Sequence, residues 1–315
     1  DSGENFMSGE QLSKKLGISR TAVWKHINAL REEGYNIESV NKKGYRLAEK
    51  PDDILSSENI AYNLPTEFIG KKVIHLDTVG STNDYAKEIG NKVSGGTLII
   101  SEQQTKGKGR LGRVWKSKSG DGIWMSLIIK PKIEPYKAPF LTLVAGASVV
   151  KALSNLGVEA SIKWPNDIIV HNKKICGILT ELSAEMERVN YVVIGIGINI
   201  KTIDFPDEIK EKATSLYKEG YKLSRVDIVR QFCIEFEKLY KGYILDGNKQ
   251  DTLELCRKYS AIIGKQVYVI KNNKRELVKC IDINENGNLI VKEKNGEIQE
   301  IMSGEVSIRG VKGYV

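Results

Sequence analysis

The hydrophobic repeat of this 315-residue chain changes twice, from a helical spacing, to mixed strand-like and helical runs, to short alternating runs. Helix and strand present side chains with different periods, so no single regular layer can bury all three patterns. Three segments are therefore expected, residues 1–49, 57–262 and 264–315, a number that suits the length at roughly 100–200 residues per domain. The polar stretch Ala48–Ser57, which contains Pro51, reads as the first linker.

In the first segment, Ser8 and Gln11 have the spacing of a capping box, Leu12 and Leu16 share a face, and Gly17 ends the helix. Ser19 caps a second helix, on which Val23, Ile27 and Leu30 form one apolar stripe before a stop at Gly34; His26 lies beside the stripe and is expected to pack. Tyr35–Val40 and Tyr45–Leu47 flank Asn41–Gly44 as a hairpin. A helix-turn-helix followed by such a hairpin looks like a winged-helix DNA-binding domain. Between Lys14 and Arg46 eight basic residues face three acidic ones. Ser19, Arg20, Thr21, Trp24, Lys25 and Asn28 are the candidate readers of bases and phosphates, with Lys42 and Lys43 at the hairpin tip on the backbone. A small module with a solvated basic face is the competing reading.

In the central segment, strand-like runs at 73–76, 98–101, 123–129, 161–164, 168–170, 175–182 and 191–200 surround one apolar helix at 138–156, and His171–Lys174 reads as a hairpin turn. Few crossover helices are available, so a mixed, largely antiparallel sheet is expected. After Gly264, short alternating runs separated by Lys271–Lys274, Asn284–Gly287 and Asn295–Gly296 predict a small, partly closed SH3-like barrel. The fold class is thus α+β, with a winged helix, a mixed sheet and a small barrel.

Composition excludes several classes. With 41% apolar and 28% charged residues and only seven prolines, the chain is neither disordered nor collagen-like. The longest apolar-rich uncharged run, Ala138–Val150, is short for a bilayer and reads as a core helix. No basic-then-apolar leader opens the sequence, so a cytoplasmic protein without a membrane partner is expected. Cys176, Cys233, Cys256 and Cys280 form no C-x-x-C pair and read as inert thiols. His26, His75 and His171 are scattered, so no metal held by protein ligands is expected. A net charge of +8 permits a polyanionic partner.

The chemistry should lie near Gln103–Gly120. Lys106, Lys108, Arg110, Arg113, Lys116 and Lys118 are interleaved there with Gly107, Gly109 and Gly112, beside Trp115, and no acidic residue interrupts them. Glycine lets backbone approach a ligand, and successive N–H groups with Arg and Lys make an anion cradle. Neither G-x-x-x-x-G-K-[ST] nor G-x-G-x-x-G fits this stretch. Four further pieces stand out: Gly80–Asp84 opening a helix, Lys163–Asp167 joining two strands, Lys174 beside Cys176–Leu179, and Gly195–Asn199 ending a strand.

Together GSTNDYA, QQTKGKGRLGR, KWPND, KKICGIL and GIGIN, in this order between a winged helix and a small barrel, resemble the bifunctional biotin–protein ligases that also repress the biotin operon. The resemblance spans essentially the whole chain. It implies that biotin and MgATP form biotinyl-5′-adenylate and pyrophosphate, and that the acyl group then passes to a lysine of the biotin carboxyl carrier protein of acetyl-CoA carboxylase. It also implies a homodimer when the adenylate is bound, and repression at biotin operator DNA.

Carried over by motif, Ser81, Thr82, Asn83 and Gln104 are expected to hold biotin, and Lys108, Gly109 and Arg110 to line its carboxylate and the phosphate. Arg113, Trp115, Asn199 and Arg309 are expected at the nucleotide, with the magnesium held mainly by phosphate oxygens. Arg110, Lys174 and Asp167 are the candidate catalytic residues, Asp167 as the group that orients and deprotonates the acceptor amine. The basic loop is expected to order over the adenylate. Lys108 stands where the family usually has arginine, exchanging a planar fork for a point charge. The sequence opens at Asp1 without methionine, and the first helix of a winged helix, expected ahead of Ser8, is not found in it. Two other functions share parts of this pattern: a non-catalytic effector-sensing DNA-binding regulator, and a lipoate–protein ligase.

Overall fold

Ser8 starts the first helix as its side chain demands. Its hydroxyl accepts from the Gln11 N–H, the Gln11 side chain returns to the Ser8 N–H, and Gly17 ends the helix in the left-handed region at φ 67°. This comes from a computed structural model describing residues 6–315 except 33–34, 50–52, 187, 272–273, 304–305 and 312, in two compact units, Asp1–Leu55 and Ser56–Val315. The expected missing first helix, the stop at Gly34, Pro51 of the linker and the middle of the Lys271–Lys274 turn fall wholly or partly outside the described residues.

The first unit runs α1 (Gly9–Leu16), α2 (Arg20–Glu32), β1 (Asn36–Val40) and β2 (Gly44–Glu49), the strands antiparallel. Val23 and Ile27 of the expected stripe are buried. His26 does not pack; it is exposed, because it follows the outward-facing Trp24 and Lys25 round the helix. Leu16 is likewise exposed, and α1 buries no residue fully. At Gly44 (φ 101°) a Cβ would lie 2.1 Å from the Met7 carbonyl, so the hairpin closes on residue 7 only with glycine there. Arg31 of α2 donates from Nε and Nη2 to the Ile37 carbonyl at 3.0 and 2.7 Å and ties the helix to the hairpin.

The second unit contains α3 (Ser57–Ala61), β3 (Val73–Val79), α4 (Thr82–Ile89), β4 (Thr97–Gln104), β5 (Gly122–Ile129), α5 (Phe140–Asn155), β6 (Ser161–Lys163), β7 (Asp167–Val170), β8 (Lys173–Ala184), β9 (Val189–Asn199), α6 (Arg225–Leu245) and α7 (Gln250–Lys258). Its seven-stranded sheet has the order β3-β4-β5-β9-β8-β7-β6. Only β3 and β4 are parallel, and α4 is the crossover their pairing requires. On one face, Ile178 and Thr180 of β8 meet Gly146 and Thr142 of α5. Twelve of the sixteen α5 residues are buried against the sheet, α6 and α7, so this apolar helix is a core element. On the other face, α4 covers one end through Ala86, packed with Ile99, Ile128, Tyr191 and Val193. The linker is shorter than expected: β2 runs to Glu49, and Leu55 and Ser56 are already buried.

The same unit ends in β10 (Gln266–Lys271), β11 (Lys274–Ile283), β12 (Leu289–Lys292), β13 (Ile298–Ile301) and β14 (Ser307–Gly310), an antiparallel sheet of order β13-β12-β11-β10-β14. Its outer strands are not paired with each other, so the small barrel stays open on that side. The Asn295-Gly296 turn has three residues between the Glu293 N–H and the Glu297 carbonyl, with Gly296 left-handed, and is not the two-residue turn its dipeptide suggests.

Candidate functional site

The register of the large sheet builds the site. Lys163 pairs with Asp167, Asp167 with Gly177, Gly177 with Gly197, Gly197 with Trp124, and Trp124 with Ser101, one row across six strands. Directly opposed residues share a face. The next row on that face is Leu179, Gly195, Ser126 and Ile99. KWPND, KKICGIL and GIGIN, far apart in sequence, are therefore neighbouring segments of one surface. Gly177, Gly195 and Gly197 pave its middle.

A slot of about 480 Å3, including its open mouth, lies above this floor. Ser81, Thr82, Asn83 and Gln104 line one end, and Lys108, Gly109, Arg110, Trp115 and Lys174 the other. Ser81 caps α4, its hydroxyl accepting from the Asp84 N–H at 3.4 Å. The Thr82 N–H and hydroxyl both donate to Gln104 Oε1, at 2.8 and 3.1 Å, while Gln104 Nε2 donates to Ser117. Ser126 Oγ lies 2.8 Å from Thr82 Oγ1 and 2.6 Å from Asn83 Oδ1.

At the opposite end a local irregularity aims a cation. His171 and Asn172, both at positive φ, make a two-residue turn, so Lys174 lies on β8 and not in the turn. The pairing slips between Ile168 and Ile169, and this bulge puts Lys174 on the same face as Gly177 despite their odd spacing. Lys174 Nζ reaches Asp167 Oδ1 at 2.5 Å and stands 5.1 Å from the centre of the Trp115 ring. Trp115 lies flat enough on the floor that a Cβ at Gly197 would come within 2.7 Å of its Nε1, a buried donor with no hydrogen-bond partner among the described residues.

The basic loop forms a tight hairpin. Lys108 bridges Val114, the Gly109 N–H donates to the Arg113 carbonyl at 2.7 Å, and a 3-10 turn at Arg110–Gly112 closes it. Arg110 points inward, donating to Asn166 Oδ1 at 2.8 Å and to the Ser303 carbonyl at 2.6 Å, which fastens the loop to the C-terminal sheet. Lys108 reaches Asp84 of α4 at 2.6 Å. Arg113 is exposed and outside the slot. Asn199 is also outside it, buried and donating to the Thr214 carbonyl at 3.1 Å. Arg309 on β14 stands 5.7 Å from the Tyr314 ring, at the edge of the cationic end.

Three residues given no role from sequence join this end. Asn166 receives Arg110. The Tyr314 hydroxyl bonds Asp167. Lys163 is buried, donating to the Tyr314 carbonyl at 2.6 Å with its ammonium 3.3 Å from the centre of that ring. Burial, with Arg309, Lys174 and Arg113 adding to it and Asp167 opposing, brings Lys163 down to about 7. Asp167 sits below the usual carboxylate range: its own burial pushes the other way, and Lys174, Tyr314 and Lys163 outweigh it. All four cysteines are free and buried; burial raises Cys233, Cys256 and Cys280 to about 12, and Cys176 is raised as well, so none is a ready nucleophile.

In the first unit, Ser19, Arg20, Thr21, Trp24 and Lys25 are exposed and Asn28 is half-buried. Thr21, Trp24, Lys25 and Asn28 follow the i, i+3, i+4, i+7 spacing of one helix face. Arg20, Thr21 and Trp24 share a cleft with Lys42 of the hairpin tip; Lys43 is exposed next to it.

Residues 76–199 match the Biotin/lipoate A/B protein ligase family, residues 1–46 an HTH domain, and residues 262–309 the Biotin protein ligase C terminal domain. The chain is 43% identical to the Bifunctional ligase/repressor BirA of Bacillus subtilis, over 97% of this chain and 95% of that one. Identity to the Escherichia coli protein of the same description is 31%, over 98% and 94%. Among solved structures, the biotin protein ligase from Aquifex aeolicus in complex with biotin and ATP aligns with a TM-score of 0.67 and 32% identity, covering 76% of this chain and 99% of that one. By this identity over nearly its whole length, the chain belongs to the bifunctional ligase/repressor family of biotin protein ligases.

Proposed function

We propose that the slot activates biotin with ATP and transfers it to a carrier lysine. A biotin carboxylate oxygen attacks the α-phosphorus, the bond to the β-phosphate breaks, and pyrophosphate leaves. The carrier amine then attacks the acyl carbon of biotinyl-5′-adenylate, AMP departs, and the amine loses a proton. The observation that carries this reading is the row Lys163–Asp167–Gly177–Gly197, which joins a neutral polar end to a cationic end across a floor without side chains.

The polar end suits a cyclic urea, since Asn83 Oδ1 is an acceptor and Gln104 Nε2 and the hydroxyls are donors. At the other end the first step brings two anions together, and Arg110 and Lys174 stand where that negative charge builds up. Trp115 Nε1 would find in the ligand the acceptor it lacks. Among the described residues no three His, Cys, Asp or Glu side chains cluster as metal ligands, and Asp84 and Asp167 are already paired with lysines. This donor set does not suit a protein-held cation, so magnesium belongs to the nucleotide substrate.

For the second step the assignment shifts. A carboxylate held below its usual range and committed to Lys174 is a poor base, so Asp167 serves to hold Lys174 and orient the amine. The acceptor in this reading is the biotin carboxyl carrier protein of acetyl-CoA carboxylase. The adenylate-bound form dimerises, and the exposed face of α2 with the hairpin tip binds the biotin operator.

The test is incubation of the chain with ATP, magnesium, biotin and a carrier domain, followed by intact mass measurement, with lipoate as competitor. One biotinyl group added per carrier is expected; an unmodified carrier, or preference for lipoate, refutes the reading.

A further inference from the structure

Asn83 is buried at the polar end, and what surrounds it settles which way its amide points. Asn83 Nδ2 lies 2.8 Å from Glu181 Oε2 and 3.3 Å from the Leu179 carbonyl. Both partners only accept hydrogen bonds, so the NH2 group must face them and the carbonyl oxygen must face the slot. There Ser126 lies 2.6 Å from Oδ1, and its single proton can occupy at most one of the two lone pairs. Glu181 is itself braced: Lys87 Nζ contacts its Oε1 at 2.7 Å and Asp84 at 3.0 Å, and Asp84 holds Lys108 of the basic loop. Lys87 is raised above its ordinary value, chiefly by its hydrogen bond to Glu181.

We propose that Glu181, braced by Lys87, is a positioning residue that fixes the Asn83 carbonyl oxygen toward the slot, so that the polar end offers an acceptor to a ligand N–H and selects a cyclic urea over rings that lack one. Glu181 does not line the slot; it acts through Asn83. It lies on the slot face of β8, one row beyond Leu179 and Gly195, paired with Val193. Lys87 is one turn along α4 from Asn83, so one helix face and one sheet row carry the whole device. The same chain of contacts continues through Asp84 to Lys108 and places the basic loop and the polar end on one ionic relay.

The proposal rests on biotin being the ligand, and its test separates the two. Biotin binding by calorimetry and biotin-dependent ATP–pyrophosphate exchange are measured for the full chain and for Glu181→Gln, Asn83→Asp and the double variant. Failure of the unaltered chain to bind biotin refutes the function, not the positioning. Glu181→Gln is expected to weaken biotin about tenfold, with the KM for ATP and the kcat at saturating biotin unchanged. Asn83→Asp sets two carboxylates in contact and is expected to weaken biotin about a hundredfold. In the double variant the amide introduced on β8 donates to the carboxylate introduced on α4, which again turns an acceptor to the slot, and affinity should return to within about fivefold of the unaltered chain. A cyclic carbonate analogue of biotin, which has no ring N–H, should bind all four proteins about equally. Unchanged affinity in Glu181→Gln, or a double variant no better than Asn83→Asp, overturns the proposal. Rescue is a result that general loss of folding cannot produce.

Discussion

Gly195→Ala is the sharpest test of the paved floor. Its Cβ would stand 2.2 Å from Asn83 Oδ1 and 2.8 Å from both Cγ and Nδ2. Asn83 has little room to retreat, being held by Glu181, the Leu179 carbonyl and Ser126. Gly195 lies inside β9, paired with Leu179 on one side and Ser126 on the other, so its backbone cannot yield either. Overpacking at such a position costs about 1–3 kcal/mol, equivalent to a fall of roughly 2–12 °C in melting temperature for a unit of this size. Displacing Asn83 should also remove a ligand hydrogen bond, about a tenfold rise in the KM for biotin. Gly197→Ala meets the Trp115 side chain at 2.7 Å instead, so its defect should fall on ATP. Differential scanning fluorimetry and pyrophosphate exchange with each substrate varied measure all of this. If Gly195→Ala kept the unaltered KM for biotin, the head of the ligand would not lie on this floor.

Arg110→Met strands Asn166 Oδ1 and the Ser303 carbonyl, so the loop should lose its tie to the C-terminal sheet and release the adenylate about ten- to a hundredfold faster in a dissociation assay; equal retention would contradict this. Burial holds Lys163 at about 7 while the unfolded chain keeps it protonated to about 10.4, so stability should climb from pH 7 toward 10, and the climb should be lost in Lys163→Met; an equal climb in that variant would contradict this. Lys42→Ala with Lys43→Ala should lower the magnitude of the log–log salt slope of operator binding by about 2, the value for two lost phosphate contacts; an unchanged slope would place these lysines away from the DNA.

Much of the architecture was legible because it is encoded locally. The Ser8–Gln11 box, the left-handed Gly17 and the apolar α5 each announce themselves within a few residues, and the scarcity of crossovers pointed to antiparallel pairing. Motif by motif, the slot residues were legible too. What pattern could not supply was register. Lys163 and Tyr314 are 151 positions apart, and nothing near either signals that one will cover the other. Glu181 lies just past KKICGIL and looks like any polar strand residue until Asn83 is set against it. Asn199 ends the glycine-rich strand but belongs to the row opposite Gly122, outside the slot lining, which the strand's pattern does not announce.

Register also explains why KKICGIL and GIGIN carry glycine where they do. Gly177 and Gly197 are cross-strand partners, and Gly195 sits two positions along the same face. A side chain at any one of them would stand where Trp115, Lys174 or Asn83 now lies. The charged residues at the row's end follow from the same logic. Lys163, Asp167 and Lys174 fall together only because β6, β7 and β8 are successive antiparallel strands and one bulge corrects the parity of Lys174. Were the pairing regular, Ile175 would oppose Ile169, and Lys174 would oppose Val170 and turn to the α5 face, away from Asp167. The strand could survive in that form, whereas an electrostatic site built on Lys174 could not. The bulge is therefore as much a part of the site as the cation it aims.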